Sequence, residues 1–475
     1  MHRTLRTAWF ASLALAVFTI PAAADAAAGP GRAAATFINW HAYLQGPAHH
    51  SDNTAALAIT PATVPALKRV WRWMPAAPTM TGQPGPALLA SPTVYDGRVY
   101  MGANTGVFYA LNQVTGHVIW KRFLGFVTKK TCGAQGFTST ATVAKDPVSG
   151  TVTVYVAAAN GYLYALSAAT GVTRWRSVVA LPSPTVSDYY NWSSPTVVAG
   201  RIYMGVSSAC DKPLVRGGLK EYNQATGAFV AFYQTNPGGS TGPSIWTSAA
   251  ATSSGRSVFV TTGNGVAGSD AVSVVRLNTV TLAKVNSWQV PASALGPDSD
   301  FGSSPTLFSA RLTGRTVPLV GACNKNGVYY ALRRGNLAAG PVWSFMAGTR
   351  EPVDTQCDAA AVWDGRNLFV AGNKTVIGGV TYLGSVRSLN PATGGRRWQR
   401  GLPGPVVGSP TLDGGGVLAV PTYSSSGLFL VRAATGSILK NIATGPEFGQ
   451  PVFAGHMLLV PTRDNGLWAY RPRAG

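Results

Sequence analysis

The amino-acid sequence predicts an all-β fold, an eight-bladed β-propeller of four-stranded antiparallel blades, with seven blades as the alternative count. Three observations predict it. A phrase recurs down the chain: Ala110-Leu-Asn-Gln-Val-Thr-Gly-His-Val-Ile-Trp120, then Ala165-Leu-Ser-Ala-Ala-Thr-Gly-Val-Thr-Arg-Trp175, with variations at 221–227, 388–398 and 430–436. Self-similarity at roughly 40 to 55 residues marks an array of one supersecondary unit. Each copy follows two short apolar runs, such as 91–102 and 106–111, bounded by Asp-Gly and Thr-Gly, which read as strands joined by tight turns. Finally, the segment Val64 to Trp73 can supply the outer strand that the last repeat lacks and so close the ring, which leaves only short, protected edges.

Taken in order, Arg3 and Arg6 precede the apolar stretch from Trp9 to Ile20, and small residues follow through Ala26. That pattern predicts a secretory signal over 1–26, then a flexible tail over 27–36 and a single propeller domain over 37–475. The apolar stretch is too short to span a membrane with those flanks, and no longer run exists. Blade-ending turns fall near Gly116, Gly171, Gly227, Thr281, Gly335, Gly394 and Gly436, and the eighth unit runs from Gln450 to Arg471.

The four cysteines, Cys132, Cys210, Cys323 and Cys357, suit an oxidising compartment. Three pairings are possible; Cys132–Cys210 with Cys323–Cys357 is favoured because each bond would link neighbouring blades. Neither a C-x-x-C-H haem motif nor zinc spacing occurs. The net charge of +21, with only 12% charged residues, fits a secreted or wall-associated protein that feels anionic wall polymer. No basic run interleaves with aromatics, so specific nucleic-acid binding is not expected. A hydrolase has little support: there is no G-x-S-x-G elbow, and the six histidines lack metal spacing, with His49-His50 expected as a surface pair on an N-terminal arm.

Function in a propeller collects where loops converge on the axis, and the loops that break the repeat are the candidates. They are 207–217, 242–246, 261–265, 297–305 and 323–327. With Trp40, Ser51-Asp52-Asn53 and the run from Ile59 to Trp71, their order resembles the pyrroloquinoline quinone (PQQ) dehydrogenases. The likeness covers essentially the whole mature chain and is closest in style to the alcohol and polyvinyl alcohol group without a haem c domain.

The resemblance implies a role for each candidate. Trp246 takes the place of the floor under the quinone ring, where an indole face stacks on a flat cofactor. Asn264 matches the asparagine that meets a cation, calcium or another divalent or trivalent ion. Asp298 and Asp300 fall at the catalytic aspartate motif, with Asp298 preferred as the base; both could also serve the metal. Lys325 matches the quinone-contacting cation. Arg216 and Ser194, in Ser193-Ser194-Pro195, align with other cofactor-contacting loops. Each has a structural alternative: a tryptophan packed between blades, an asparagine in a positive-φ turn, an Asx turn, a turn lysine.

The chain departs from the family in three places. A vicinal cysteine pair is absent. The loop that should give a glutamate to the cation reads Ser208-Ala209-Cys210-Asp211, so either Asp211 substitutes for it or Cys210 replaces the ligand by a disulfide. Leu88-Leu89-Ala90 stands where another glutamate is expected. Two readings follow: an exported quinoprotein dehydrogenase that oxidises an alcohol, sugar or hydroxylated polymer and passes electrons to a separate acceptor, or a cofactor-free propeller that binds wall polymer or protein partners.

Overall fold

In the computed structural model, residues 38–128, 131–186, 188–349 and 357–473 are described. The expected signal segment and tail lie outside the described residues. Eight sheets surround one axis. The first uses Thr93–Tyr95, Arg98–Gly102, Val107–Asn112 and Val118–Phe123, paired antiparallel from the axis outward. Blades 2 to 7 follow over 142–178, 196–234, 250–289, 306–346, 362–402 and 411–442. Blade 8 takes three strands from 452–472, and Leu67–Trp73 pairs with Gly466–Pro472 as its fourth. The eight-blade count and the closing strand are therefore as the sequence predicts.

Middle strands read as continuous apolar runs because neighbouring blades cover both faces. In Val152–Ala157 only the first residue is not fully buried, whereas the outer strand Val118–Phe123 buries Trp120 alone.

The repeated Thr-Gly…Trp phrase has a direct packing cause. The tryptophan ending one blade lies on the glycine of the next blade's Thr-Gly turn. Trp120 packs on Gly171, where an added Cβ would come within 2.6 Å of the indole, and its N–H donates to the Ala168 carbonyl at 3.1 Å. Trp71 on Gly116, Trp175 on Gly227, Trp343 on Gly394 and Trp398 on Gly436 repeat the contact. Those glycines are also left-handed, so a side chain there meets both a forbidden backbone and an occupied space.

A second repeat closes the ring near the axis. The Ser91 N–H donates to Thr140 Oγ1, Thr140 to Ser194, Ser194 to Ser248 and Ser248 to Ser304, all at 2.9–3.0 Å. Ala360 donates to Ser409 and Gln450 to Ser91, at 3.0 and 2.9 Å. This belt satisfies buried backbone donors between blades where no ladder can reach them.

The arm preceding the closing strand is the main feature that the repeat does not foretell. Residues 40–53 circle the axis at one end of the ring. Trp40 bridges to Val94, and Val143, Ala251, Leu307, Trp363 and Leu412 donate backbone N–H groups to His41, Pro47, Ala48, His50 and Ser51. The Asn53 amide then donates to the Phe453 carbonyl at 2.8 Å. His49 is not on the surface as expected: it is 2% exposed, with Nδ1 at 2.9 Å from the Pro305 carbonyl, because the arm turns it into the ring. Disulfides join Cys132 to Cys210 and Cys323 to Cys357, the favoured pairing.

Candidate functional site

Loops that enter each blade, and loops between its second and third strands, emerge at the end opposite the arm. They surround an axial cavity of about 820 Å³. Trp246 comes from the loop entering blade 4, Asp298 and Asp300 from the loop entering blade 5. Asp211, Asn264 and Lys325 sit on second-to-third-strand loops of blades 3, 4 and 5. Residues 114 positions apart in sequence thus share one space.

Lys325 is the hub. Its ammonium lies 2.7 Å from Asp300 Oδ1 and 3.0 Å from Asp298 Oδ2, and 5.1 Å from the Trp246 ring centre. The Trp246 indole N–H donates to Asp300 Oδ2 at 2.8 Å. Asn264 donates to Asp298 Oδ1 at 2.7 Å and reaches Asp211 Oδ2 at 3.5 Å, and Ser244 donates to Asp211 Oδ1 at 3.3 Å. The indole is therefore tied to the Lys325–Asp300 ion pair through its N–H.

Burial raises the carboxyl pKa of Asp300, against the opposing pull of Lys325. It raises that of Asp211 as well, against hydrogen bonds from Asn264 and Ser244. Burial pulls the Lys325 pKa down, but Asp300, Asp358 and Asp298 outweigh it and hold the ammonium charged. Four aspartates line the cavity (Asp211, Asp298, Asp300 and Asp358) against two lysines, Lys212 and Lys325. A chain of net charge +21 is locally negative here.

That surplus and the hard oxygen donors suit a cation. No three His, Cys, Asp or Glu side chains among the described residues converge as a ready chelate, since Lys325 and Asn264 already engage the carboxylates. A flat conjugated acid suits the part of the cavity beside Trp246, by the indole face and by the Lys325 ammonium.

Of the candidates, Trp246, Asn264, Asp298, Asp300, Lys325, Asp211 and Ser194 line the cavity. Arg216 does not; it is exposed, with Nε donating to Gln234 Oε1 at 2.7 Å. Asn264 is outside the left-handed region, so the turn alternative does not describe it. The Ser194 hydroxyl accepts from Thr140 and belongs to the belt.

Sequence reasoning missed Asp358, Trp192 and Tyr43. Trp192 precedes Ser194 by the same two positions that separate Trp246 from Ser248, a signal that was available. Asp358 has that offset from Ala360, where the belt hydroxyl is lost and the register is hidden. Gly302 makes room for it: a Cβ there would lie 1.8 Å from Asp358 Oδ1. Tyr43 reaches the cavity from the arm.

A propeller whose open end presents this cavity defines the class, and comparison with known proteins places the chain within it. Residues 40–344 match the family model described as glucose/ethanol/alcohol dehydrogenase, β-propeller domain, so the chain belongs to this PQQ dehydrogenase-type propeller family. Residues 382–475 match the model of outer membrane protein assembly factor BamB. A curated BamB from Legionella pneumophila (strain Paris) is 24% identical over 208 residues, 37% of this chain; the match spans about half of that protein, 49%. Among solved structures, quinohemoprotein alcohol dehydrogenase from Comamonas testosteroni superposes with a TM-score of 0.71 at 16% identity, covering 92% of this chain and 82% of that one. A europium-containing methanol dehydrogenase gives 0.70 at 16%, covering 91% and 98%, and BamB from Moraxella catarrhalis gives 0.51 at 15%, covering 86% and 98%. At these identities the structures show a shared fold.

Proposed function

We propose that the chain is an exported quinoprotein dehydrogenase that oxidises an alcohol, sugar or hydroxylated polymer and passes electrons to a separate acceptor. The observation that carries this reading is the meeting of Trp246, Lys325, Asp298, Asp300, Asn264 and Asp211 in one cavity of a basic protein. Electrostatics favours the same reading, because a structural propeller gains nothing from crowding four aspartates at its axis. Secretion, with a signal over 1–26, a tail over 27–36 and the domain from 37, is part of the proposal, and two disulfides fit an oxidising compartment.

PQQ, when bound, supplies the two-electron acceptor. Trp246 would carry its flat face, and Lys325 would hold its oxygens. Calcium or a similar ion would take oxygens from Asn264, Asp298, Asp300 and Asp211. Exposure separates the two catalytic candidates: the Asp298 side chain is 33% exposed and the Asp300 side chain 3%. Asp298, the more open of the two to the cavity, would take the substrate hydroxyl proton. Asp300, with one oxygen on Trp246 and the other on Lys325, holds both in place.

The test is dye-linked oxidation of alcohols by purified mature protein loaded with PQQ and calcium. Activity lost in Asp298→Asn supports the reading; absence of turnover with alcohols, sugars and polyvinyl alcohol alike refutes it. The BamB-like match over 382–475 supports a second reading, a scaffold that binds protein or anionic wall polymer. Salt-sensitive retention on cell-wall fractions, without any quinone uptake, would favour it.

A further inference from the structure

The belt that closes the ring also indexes the cavity wall. Two positions before each belt residue stands a half-buried residue that lines the cavity. On blades 3 to 6 these are Trp192, Trp246, Gly302 and Asp358. On blades 7, 8 and 1 they are Val407, Phe448 and Leu89, with Thr138 on blade 2 between the two sides. In a ring of eight blades, blade 8 faces blade 4 across the axis. The aspartates, Asn264 and Lys325 all come from blades 3 to 6 or the loops entering them. Opposite them is an apolar arc.

We propose that Leu89, Val407 and Phe448 form the subsite for the body of the substrate, which makes that substrate an alcohol with an apolar hydrocarbon body rather than a sugar. The inference rests on the dehydrogenase reading and narrows its substrate class. A hydroxyl bound at Asp298 points the remainder of the molecule across the axis onto this arc. Gly408 and Gly449 put no side chain between Val407 and Ser409 or between Phe448 and Gln450; a Cβ on Gly449 would lie 2.4 Å from the Ala90 carbonyl.

Polar groups beside the arc are already engaged. Ser91 and Ser409 accept backbone N–H groups, and the Gln450 amide donates to Ser51 Oγ at 2.9 Å and to the Pro410 carbonyl at 3.0 Å. Gln450 Oε1 and Glu447 Oε2 are the acceptors there, among the described residues, without a hydrogen-bond partner. Glu447, next to Phe448, is fully buried behind the arc; burial raises its pKa, against a hydrogen bond from the Thr444 hydroxyl. A sugar placed here would leave several hydroxyls unpaired, which is what makes a site reject a polyol. A hydrocarbon chain loses nothing.

The test is equilibrium binding of 1-butanol through 1-octanol and of glucose to the mature chain, before and after adding PQQ and calcium. Quinone uptake is followed separately through tryptophan fluorescence. Affinity should rise roughly three- to fivefold per added methylene, and glucose should bind at least tenfold more weakly than 1-hexanol. Phe448→Ser, and the isosteric Val407→Thr in case the first misfolds, should flatten the series while quinone uptake stays normal. A flat alcohol series, or glucose binding as tightly as 1-hexanol, overturns the subsite whether or not PQQ is taken up. A rising series with no quinone uptake upholds the subsite and sinks the dehydrogenase reading.

Discussion

The two ends of the ring solve opposite problems with the same eight inner strands. Three positions after the belt, strands of seven blades bind the arm: at Val94, Val143, Ala251, Leu307, Trp363, Leu412 and Phe453. Two positions before it, they face the cavity. The arm end is tied by backbone hydrogen bonds from six blades and turns His49 inward. The open end crowds carboxylates around one lysine. Repetition builds stability, and departures from repetition build chemistry. The same offset carries tryptophan, aspartate, glycine, valine, phenylalanine and leucine in different blades because nothing in the ring's closure constrains it.

The comparison would be broken most sharply by substitutions that cross its boundary. Lys325→Ala should have the largest effect. Removing the ammonium leaves the buried Asp300 carboxylate without its cation, costing about 3–5 kcal/mol for a buried pair, and quinone affinity should vanish with it. Urea unfolding and fluorescence titration read the two losses. If calcium restores much of the stability but none of the quinone binding, the cation and the lysine are competing for the same oxygens.

His49→Ala at the arm end should cost roughly 2 kcal/mol through lost packing and an unpaired Pro305 carbonyl. Quinone affinity should not change. Denaturant midpoints measured alongside the titration separate the ends, and a matching loss of affinity would show that they are coupled.

A smaller effect depends on pH. Asp413 sits at the arm end beside Asp52, and both carboxyls are pushed up from an ordinary 3.8 to about 7. Burial is the first cause for each; Asp364 adds to it for Asp52, and Asp52 for Asp413. Between those values the folded protein holds protons that the unfolded chain has released, so stability falls as pH rises through the window. Asp413→Asn should therefore raise Tm by roughly 2–4 °C at pH 8 and leave it unchanged near pH 4. Equal shifts at both pH values would contradict the assignment.

Much of this was legible in the residues. The Thr-Gly…Trp phrase encodes blade-to-blade packing directly, which is why blade count, turn positions and the closing strand could be read from it. Trp246, Asn264, Asp298, Asp300, Lys325 and Asp211 stand in loops that break the phrase, and the structure brings them together. Arg216 stands in such a loop too, but its side chain turns outward to Gln234. The arm was illegible because its bonds are made by backbone carbonyls, which carry no sequence signature. Trp192 was legible by its offset from Ser194, whereas Asp358 needed the belt register, visible only once neighbouring blades are seen to share hydrogen bonds.

Calorimetric titration of PQQ into the mature protein, with and without calcium, tests the central claim most directly. The account predicts saturable, calcium-dependent binding at one site per chain, lost in Trp246→Ala and Lys325→Ala. The absence of binding under both conditions would contradict it, and would mean that the aspartates of the open end serve a partner other than a quinone.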